Sequence, residues 1–446
     1  MSKAASRAGA GAWSRASELA ARTPESRNRY VDFLRAASIL VVVFGHWLMA
    51  APSVGGGGFT LSDMLKVAPW SRWLTWLFQV MPVFFIVGGY SNAASWEAAR
   101  RSGQDYAAWI AGRLQRLVRP ILPLLLVWTV LGLVAHQIGV RPELIRVGSQ
   151  AALIPTWFLA VYVMVVVVAP ATHWLWRRWG MKSFWAMVLG AVVVDAVGFT
   201  TAYSEVRWAN YAFVWLAVHH LGYLWWDGRM AGARALPWAL GGLAALFFLV
   251  TVADYPVSMI SVPGEEVSNS RPPTLALLGL GAFHAGLVLA LEAPARRWLR
   301  RARPWTATVL VNGTIMTLFL WHVTVLVLVV GLAYLLGGIG LGLAPNSGAW
   351  WATRPLWIAL LFLILLVFVA GFGRFEQLAR ARPASLPSAW QSVTGAIAVC
   401  GGLAVLALGG IGAPGFLGIR TGVLLLTFAG AALVAGARLP WPRAAT

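Results

Sequence analysis

Residues 29–51 read Arg29-Tyr-Val-Asp32-Phe-Leu-Arg35-Ala-Ala-Ser38-Ile-Leu-Val-Val-Val-Phe-Gly45-His46-Trp-Leu-Met-Ala-Ala51. Past Arg35 the run is apolar apart from Ser38, Gly45 and His46, and it has no alternation of the kind a barrel strand needs. At about 1.5 Å per helical residue, such a run spans roughly 30 Å of hydrocarbon, so it predicts a transmembrane helix.

Comparable runs recur along the 446 residues, with 59% hydrophobic and 11% charged side chains and a mean hydropathy of +0.72. A soluble domain of that composition would expose most of its apolar side chains to water. The runs predict an all-α polytopic transmembrane bundle of about twelve spans, at 32–51, 74–94, 117–135, 152–171, 183–200, 209–226, 236–253, 273–292, 307–336, 354–373, 392–411 and 418–437. Cys400 is the single cysteine, so no intramolecular disulfide framework is expected, and no Cys/His spacing suggests a metal site. The first 28 residues are polar and Arg/Ala-rich, which predicts a mobile basic tail rather than a removable signal peptide.

The net charge of +20 is explained by its distribution. With the N-terminus placed inside, 27 basic and eight acidic residues fall on the inner face, and the outer loops hold the other eight basic residues. That is the positive-inside pattern, and it puts both termini in the cytoplasm of a plasma-membrane protein. Membrane lipids are the implied partners, and nucleic acid is not. Trp73, Trp76, Trp225, Trp226, Trp350 and Trp351 lie near span ends, where interfacial anchoring is expected. The Gly-rich stretch 55–58 predicts a flexible outer loop, and 254–271, with Glu265 and Glu266, an acidic solvated one.

Two polar residues stand out in the first span. On an ideal helix, eleven residues at about 100° return to within roughly 20° of the start, so Arg35 and His46 share a face about 16 Å apart, with Asp32 on the same stripe. A snorkelling arginine, its paired aspartate and a core histidine would be one account of this stripe; a functional site is the other.

Arg29-x-x-Asp32-x-Leu34-Arg35 followed by Gly45-His46 resembles the opening signature of the acyltransferase family 3 membrane proteins. Met81-Pro-Val-Phe-Phe-Ile-Val-Gly-Gly-Tyr90 is similar to that family's second-span motif, Arg113-x-x-Arg116-x-x-Arg119-Pro120 to its basic third-span entry, Trp157-Phe158-Leu159 to its fourth, and Leu320-Trp321-His322 to its late motif. The likeness covers residues 29–373, a ten-span core. It leaves 1–28 as the tail and 374–446 as a cytoplasmic loop with two extra C-terminal transmembrane helices. Gly88-Gly89 departs from the family's usual Ser-Gly, which removes a hydroxyl at 88 but keeps a close helix approach.

The resemblance implies a membrane acyltransferase that moves an acyl group, commonly acetyl, from cytoplasmic acyl-CoA to a hydroxyl of an extracytoplasmic carbohydrate or lipid-linked acceptor. It implies His46, Arg35 and Asp32 as the catalytic set, and Arg113, Arg116 and Arg119 as the donor-binding cluster. Guanidinium forks suit phosphates, although the cluster also has the composition of an ordinary positive-inside patch. A pantetheine arm threading inward would bring the thioester to His46, which would act as general base or form an acyl-histidine. His322, with Trp157 and Tyr90, is a candidate second polar site. Asp195 reads as packing or pore lining. His219 and His220 point about 100° apart, His173 and His284 read as ordinary polar residues, and His136 as an outer interface one. Buried His, Asp and Arg on many spans would also suit a secondary transporter or flippase, yet no internal repeat is evident.

Overall fold

The computed structural model describes residues 11–55, 58–378 and 386–437. Every one of the twelve apolar segments is helical. In chain order the described helices are α1 (Ala12–Ala21), α2 (Arg29–Met49), α3 (Met64–Val67), α4 (Thr75–Phe78), α5 (Met81–Arg101), α6 (Tyr106–Val118), α7 (Ile121–Gln137), α8 (Pro142–Leu153), α9 (Thr156–Trp179), α10 (Met181–Thr200), α11 (Asn210–Trp226), α12 (Leu236–Thr251), α13 (Leu275–Ala290), α14 (Glu292–Trp298), α15 (Ala302–Gly313), α16 (Ile315–Leu335), α17 (Gly348–Leu378), α18 (Ala389–Gly409) and α19 (Thr421–Val434). Among the described residues nine helical segments are long and apolar enough to cross a bilayer, or ten if α13 and α14, bent by 49°, form one span. α11 has 17 residues and α19 has 14. The chain is an all-α polytopic membrane protein.

Three boundaries differ from the sequence reading for identifiable reasons. The expected span from 152 contains a break at Pro155, which has no N–H to continue the ladder from α8 into α9. The expected span 307–336 divides at Thr314, whose φ of −131° and ψ of 18° take the backbone out of the helix between α15 and α16. The arm expected to be mobile forms α1 from Ala12 to Ala21. Its buried Ala16 and Ala20 lie toward α15, and the Trp305 Nε1–H donates to the Ala20 carbonyl at 3.3 Å.

The Gly-rich outer loop belongs to an antiparallel hairpin, β1 (Ala50–Gly55) with β2 (Gly58–Asp63), in which Val54 faces Phe59. Residues 56 and 57 lie outside the described residues. β-branched and aromatic side chains flank the glycines, a pattern that suits a pleated pair better than open coil. The hairpin is tied down where the Val54 N–H donates to the Leu341 carbonyl at 2.8 Å, and Asp63 ends it by capping α3 through the Leu65 N–H at 2.7 Å. Nearby, the acidic loop is not wholly solvated, since Arg72 pairs with Glu265 at 2.9 Å.

Not all of the expected tryptophan anchors lie at the surface. Trp73 and Trp351 are exposed, whereas Trp76, Trp225 and Trp350 are buried. Two of the buried ones satisfy their indole N–H inside the protein, Trp76 on the Val257 carbonyl at 2.8 Å and Trp225 on Glu292 at 3.0 Å. Interior positions near a span end carry the same sequence signal as interfacial ones, so composition cannot separate them.

Helix association in lipid rests on close packing rather than on expulsion of water. The crossing of α5 and α11 shows this at Gly89 and Gly222. A Cβ on Gly89 would strike the His219 carbonyl, and one on Gly222 the Ile86 carbonyl. The last two helices do not stand apart from the rest. α18 packs on α6, α8 and α9. Gln115 on α6 donates to the Val434 carbonyl at 3.1 Å, and the Ile411 N–H donates to Ser149 Oγ at 2.8 Å.

Candidate functional site

The two central polar side chains come from α2 and α16, which pack against one another. His322 is fully buried, and its Nδ1 lies 2.7 Å from the Phe319 carbonyl. A carbonyl only accepts, so in the neutral ring that nitrogen carries the hydrogen and Nε2 is the acceptor. The same Nε2 lies 3.2 Å from Nδ1 of His46. That Nδ1 also faces the Val42 carbonyl at 2.9 Å, so it meets two acceptors and must itself carry a hydrogen. Its own Nε2 is thereby left as a lone pair with no hydrogen-bond partner among the described residues. His46 is half-buried. The network therefore holds an imidazole in the tautomer whose free nitrogen is a base. Trp47 braces the pair from behind, donating its indole N–H to the His322 carbonyl at 3.0 Å.

At the other end of α2, Asp32 is buried and shared. Arg27 binds it through two nitrogens at 2.6 and 3.1 Å, and Arg35 approaches at 3.3 Å. Arg35 also donates to Ser91 Oγ at 3.2 Å on α5, and Asn312 at the end of α15 donates to the Asp32 carbonyl at 2.9 Å. A cavity of about 610 Å³ opens here, and Arg35, Asp32, Arg116, Asn312 and Ile315 are among its lining residues. Ile315 begins α16, and His322 lies two turns farther along it, about 10 Å. The cavity and the histidine pair thus sit at different depths on the same two helices.

The three arginines of the basic cluster do different things. Arg113 is turned inward, donating to Asn92 Oδ1 at 2.8 Å, to the Ser91 carbonyl at 3.0 Å and to Ser95 Oγ. Asn92 in turn meets His219 Nε2 at 3.0 Å, so Arg113 joins α6 to α5 and α11. Arg116 lines the cavity, and Arg119 is not among its lining residues.

Nor do His322, Trp157 and Tyr90 form one site. Tyr90 accepts from Asn28 Nδ2 at 3.2 Å and lies tilted against Trp225, ring centroids 4.5 Å apart, at the Arg35 end. Trp157 meets Phe158 at 6.2 Å, and only through Phe158 and Phe319 does the chain of rings reach His322. The reason is geometric, since sequence motifs on α5, α9 and α16 do not say which turn of each helix faces which neighbour.

The remaining polar residues have local duties. Asp195 accepts from Asn210 at 2.7 Å, Tyr255 at 2.9 Å and the Leu275 N–H at 2.8 Å, which ties α10 to the start of α13. His219 and His220 are both buried, the first on Asn92 and the second on the Leu216 carbonyl at 2.7 Å. Among the described residues no three His, Cys, Asp or Glu side chains are placed to hold a metal ion.

The site thus has two parts on α2 and α16, an arginine-lined cavity at one end and a histidine pair deeper in the bundle. The acyltransferase-3 model, an acyltransferase domain, matches residues 28–372. This chain belongs to that family. It is accordingly a multi-pass membrane acyltransferase, a transferase enzyme. No curated protein and no solved structure matches it significantly.

Several residues of this acyltransferase's site carry no motif. Ser91 joins Arg35 and Arg113, accepting from one at its hydroxyl and from the other at its carbonyl. Glu376, at the far end of α17, is buried and accepts from the Thr317 N–H and the Thr317 hydroxyl, both at 3.0 Å. A carboxylate on the first turn of α16 stabilises that end against its partial positive charge. The available sequence signal was a lone acid just past the tenth apolar run.

Proposed function

We propose that this acyltransferase takes an acyl group, most simply acetyl, from acyl-CoA on the cytoplasmic side and delivers it to a hydroxyl of a carbohydrate or lipid-linked acceptor on the outer side of the plasma membrane. The observation that carries this reading is the His46–His322 contact, which leaves a basic nitrogen on a half-buried ring. His46 Nε2 takes the acceptor's hydroxyl proton as the oxygen bonds to the thioester carbon. The C–S bond then breaks, and the coenzyme A thiolate leaves and takes the proton from the His46 imidazolium, which restores the base. While charged, the imidazolium donates a stronger, charge-assisted Nδ1–H bond to Val42 and His322. His322 therefore positions the base, by the logic of an imidazole held in one tautomer by a third group.

Arg35 is assigned to the donor's phosphates and not to the developing oxyanion. Its guanidinium is engaged by Asp32 and Ser91 at the cavity, about 16 Å along α2 from His46. Arg116 joins it there. The excess of basic residues at this end supports its cytoplasmic placement. A pantetheine arm running inward between α2 and α16 would carry the thioester from the cavity to the base.

The test is mass spectrometry of envelope glycans and lipids from cells with the gene, without it, and with His46→Ala. An acyl modification present only with the wild-type gene is expected. An unchanged envelope in the deletion, or full modification by His46→Ala, would remove the reading.

A further inference from the structure

The family domain does not close the arginine-lined cavity by itself. Leu19, Arg22, Thr23, Pro24 and Arg27 form part of its lining, and all five precede residue 28, where the family match begins. This segment is pinned at two points. Trp305 Nε1 donates to the Ala20 carbonyl at 3.3 Å and to Thr23 Oγ1 at 3.2 Å, and Arg27 is held in a two-point contact by Asp32 at 2.6 and 3.1 Å. Arg22 lies between those anchors; its backbone N–H donates to the Glu18 carbonyl at 3.3 Å, and its guanidinium makes no hydrogen bond or ion pair among the described residues.

The charge balance of the cavity singles out its ligand. Arg22, Arg27, Arg35 and Arg116 line it against one carboxylate, Asp32, and that carboxylate is already shared by Arg27 and Arg35. Like charges gathered in one cavity repel one another unless a polyanion enters. Several phosphates on one ligand would match several separated guanidinium forks. A single carboxylate or a neutral sugar would not.

We infer that the segment before the family domain is a wall of the donor site, with Arg22 contacting the phosphates of the coenzyme A part of the donor. This rests on the donor assigned under the proposed function. The N-terminal segment then contributes a specificity determinant that distinguishes a phosphorylated acyl carrier from an uncharged thioester.

The experiment compares full-length wild type, Arg22→Glu and Arg22→Lys in lipid nanodiscs, measuring coenzyme A binding and acyl transfer from acyl-CoA and from acyl-pantetheine, which has no phosphate. Arg22→Glu is expected to weaken coenzyme A binding and raise KM for acyl-CoA about tenfold, the scale of one charge-assisted contact replaced by a repulsion. The expected kcat stays within about twofold, Arg22→Lys recovers most of the loss, and transfer from acyl-pantetheine is unaffected. Wild-type KM and binding in Arg22→Glu would overturn the inference while leaving the acyltransfer reading intact. Should the wild type transfer no acyl group, that reading fails, and the coenzyme A binding comparison decides the inference alone: equal binding, or none, rejects it.

Discussion

His46 and His322 lie 276 positions apart in the chain, and Nε2 of one accepts from Nδ1 of the other at 3.2 Å. Removing either ring has a different consequence. His46→Ala removes the base, and a loss of about 10²–10⁴ in kcat is expected. His322→Ala keeps the base but releases its tautomer and orientation, so a smaller loss, on the order of 10–10², is expected. His322→Gln, whose amide oxygen can still accept from Nδ1, should recover part of it. Initial rates at saturating donor separate these variants. A His322→Ala enzyme whose only change was a raised donor KM would place this ring in donor binding instead.

What was legible in the sequence follows from which interactions are local. The apolar runs mark the helices because a bilayer imposes length and composition on each segment separately. The stripe through Asp32, Arg35 and His46 was visible because helical periodicity is local. The histidine pair was not, since nothing in Leu320-Trp321-His322 states which turn of α2 it meets. Arg113 and Arg116 are three residues apart with the same side chain, yet one is spent on Asn92 and Ser91 and the other lines the cavity. Glu376 and α1 escaped for the same reason, as their partners lie far away in sequence. The hairpin at 50–63 was missed because its glycines outweighed the alternating residues beside them.

Glu376 supports the His322 helix from its first turn, so its effect should fall on stability and register. Glu376→Ala leaves the Thr317 N–H and hydroxyl without that acceptor in a buried place, a cost of about 1–3 kcal/mol. The expected signature is a lower thermal midpoint in detergent with reduced kcat and nearly unchanged donor KM. Glu376→Gln, which keeps an acceptor oxygen, should fall between wild type and alanine. Activity loss at an unchanged midpoint would instead point to a direct role in the chemistry.

The arginine cluster allows a sharper division. Arg113→Ala removes hydrogen bonds to Asn92 and Ser91 and strands polar groups between α5, α6 and α11. About 1–3 kcal/mol of destabilisation and a lower yield of folded protein are expected. Arg116→Ala should raise donor KM about three- to tenfold. Thermal melts and donor titrations on the two variants distinguish these outcomes. A normal midpoint for Arg113→Ala with a raised KM would return that residue to the donor site.

Neighbouring glycines on α5 should respond unequally to one added methyl group. At Gly89 the new Cβ would meet the backbone carbonyl of His219, and backbone cannot yield without the two helices separating. Asn92 and His219, 3.0 Å apart one turn farther on, would be pulled from each other, and Arg113 would lose its anchor. At Gly88 the obstacle is the edge of the Tyr162 ring, with the nearest atom at 2.8 Å, and a side chain can rotate or shift aside. Gly89→Ala is therefore expected to abolish monodisperse protein after detergent extraction, whereas Gly88→Ala should retain most of it with modestly reduced activity. Size-exclusion profiles of the two variants provide the check. Equal yields would mean that α5 and α11 cross less closely than Gly89 and Gly222 indicate, and the positions of Ser91 and Arg35 beside the donor cavity would have to change with them.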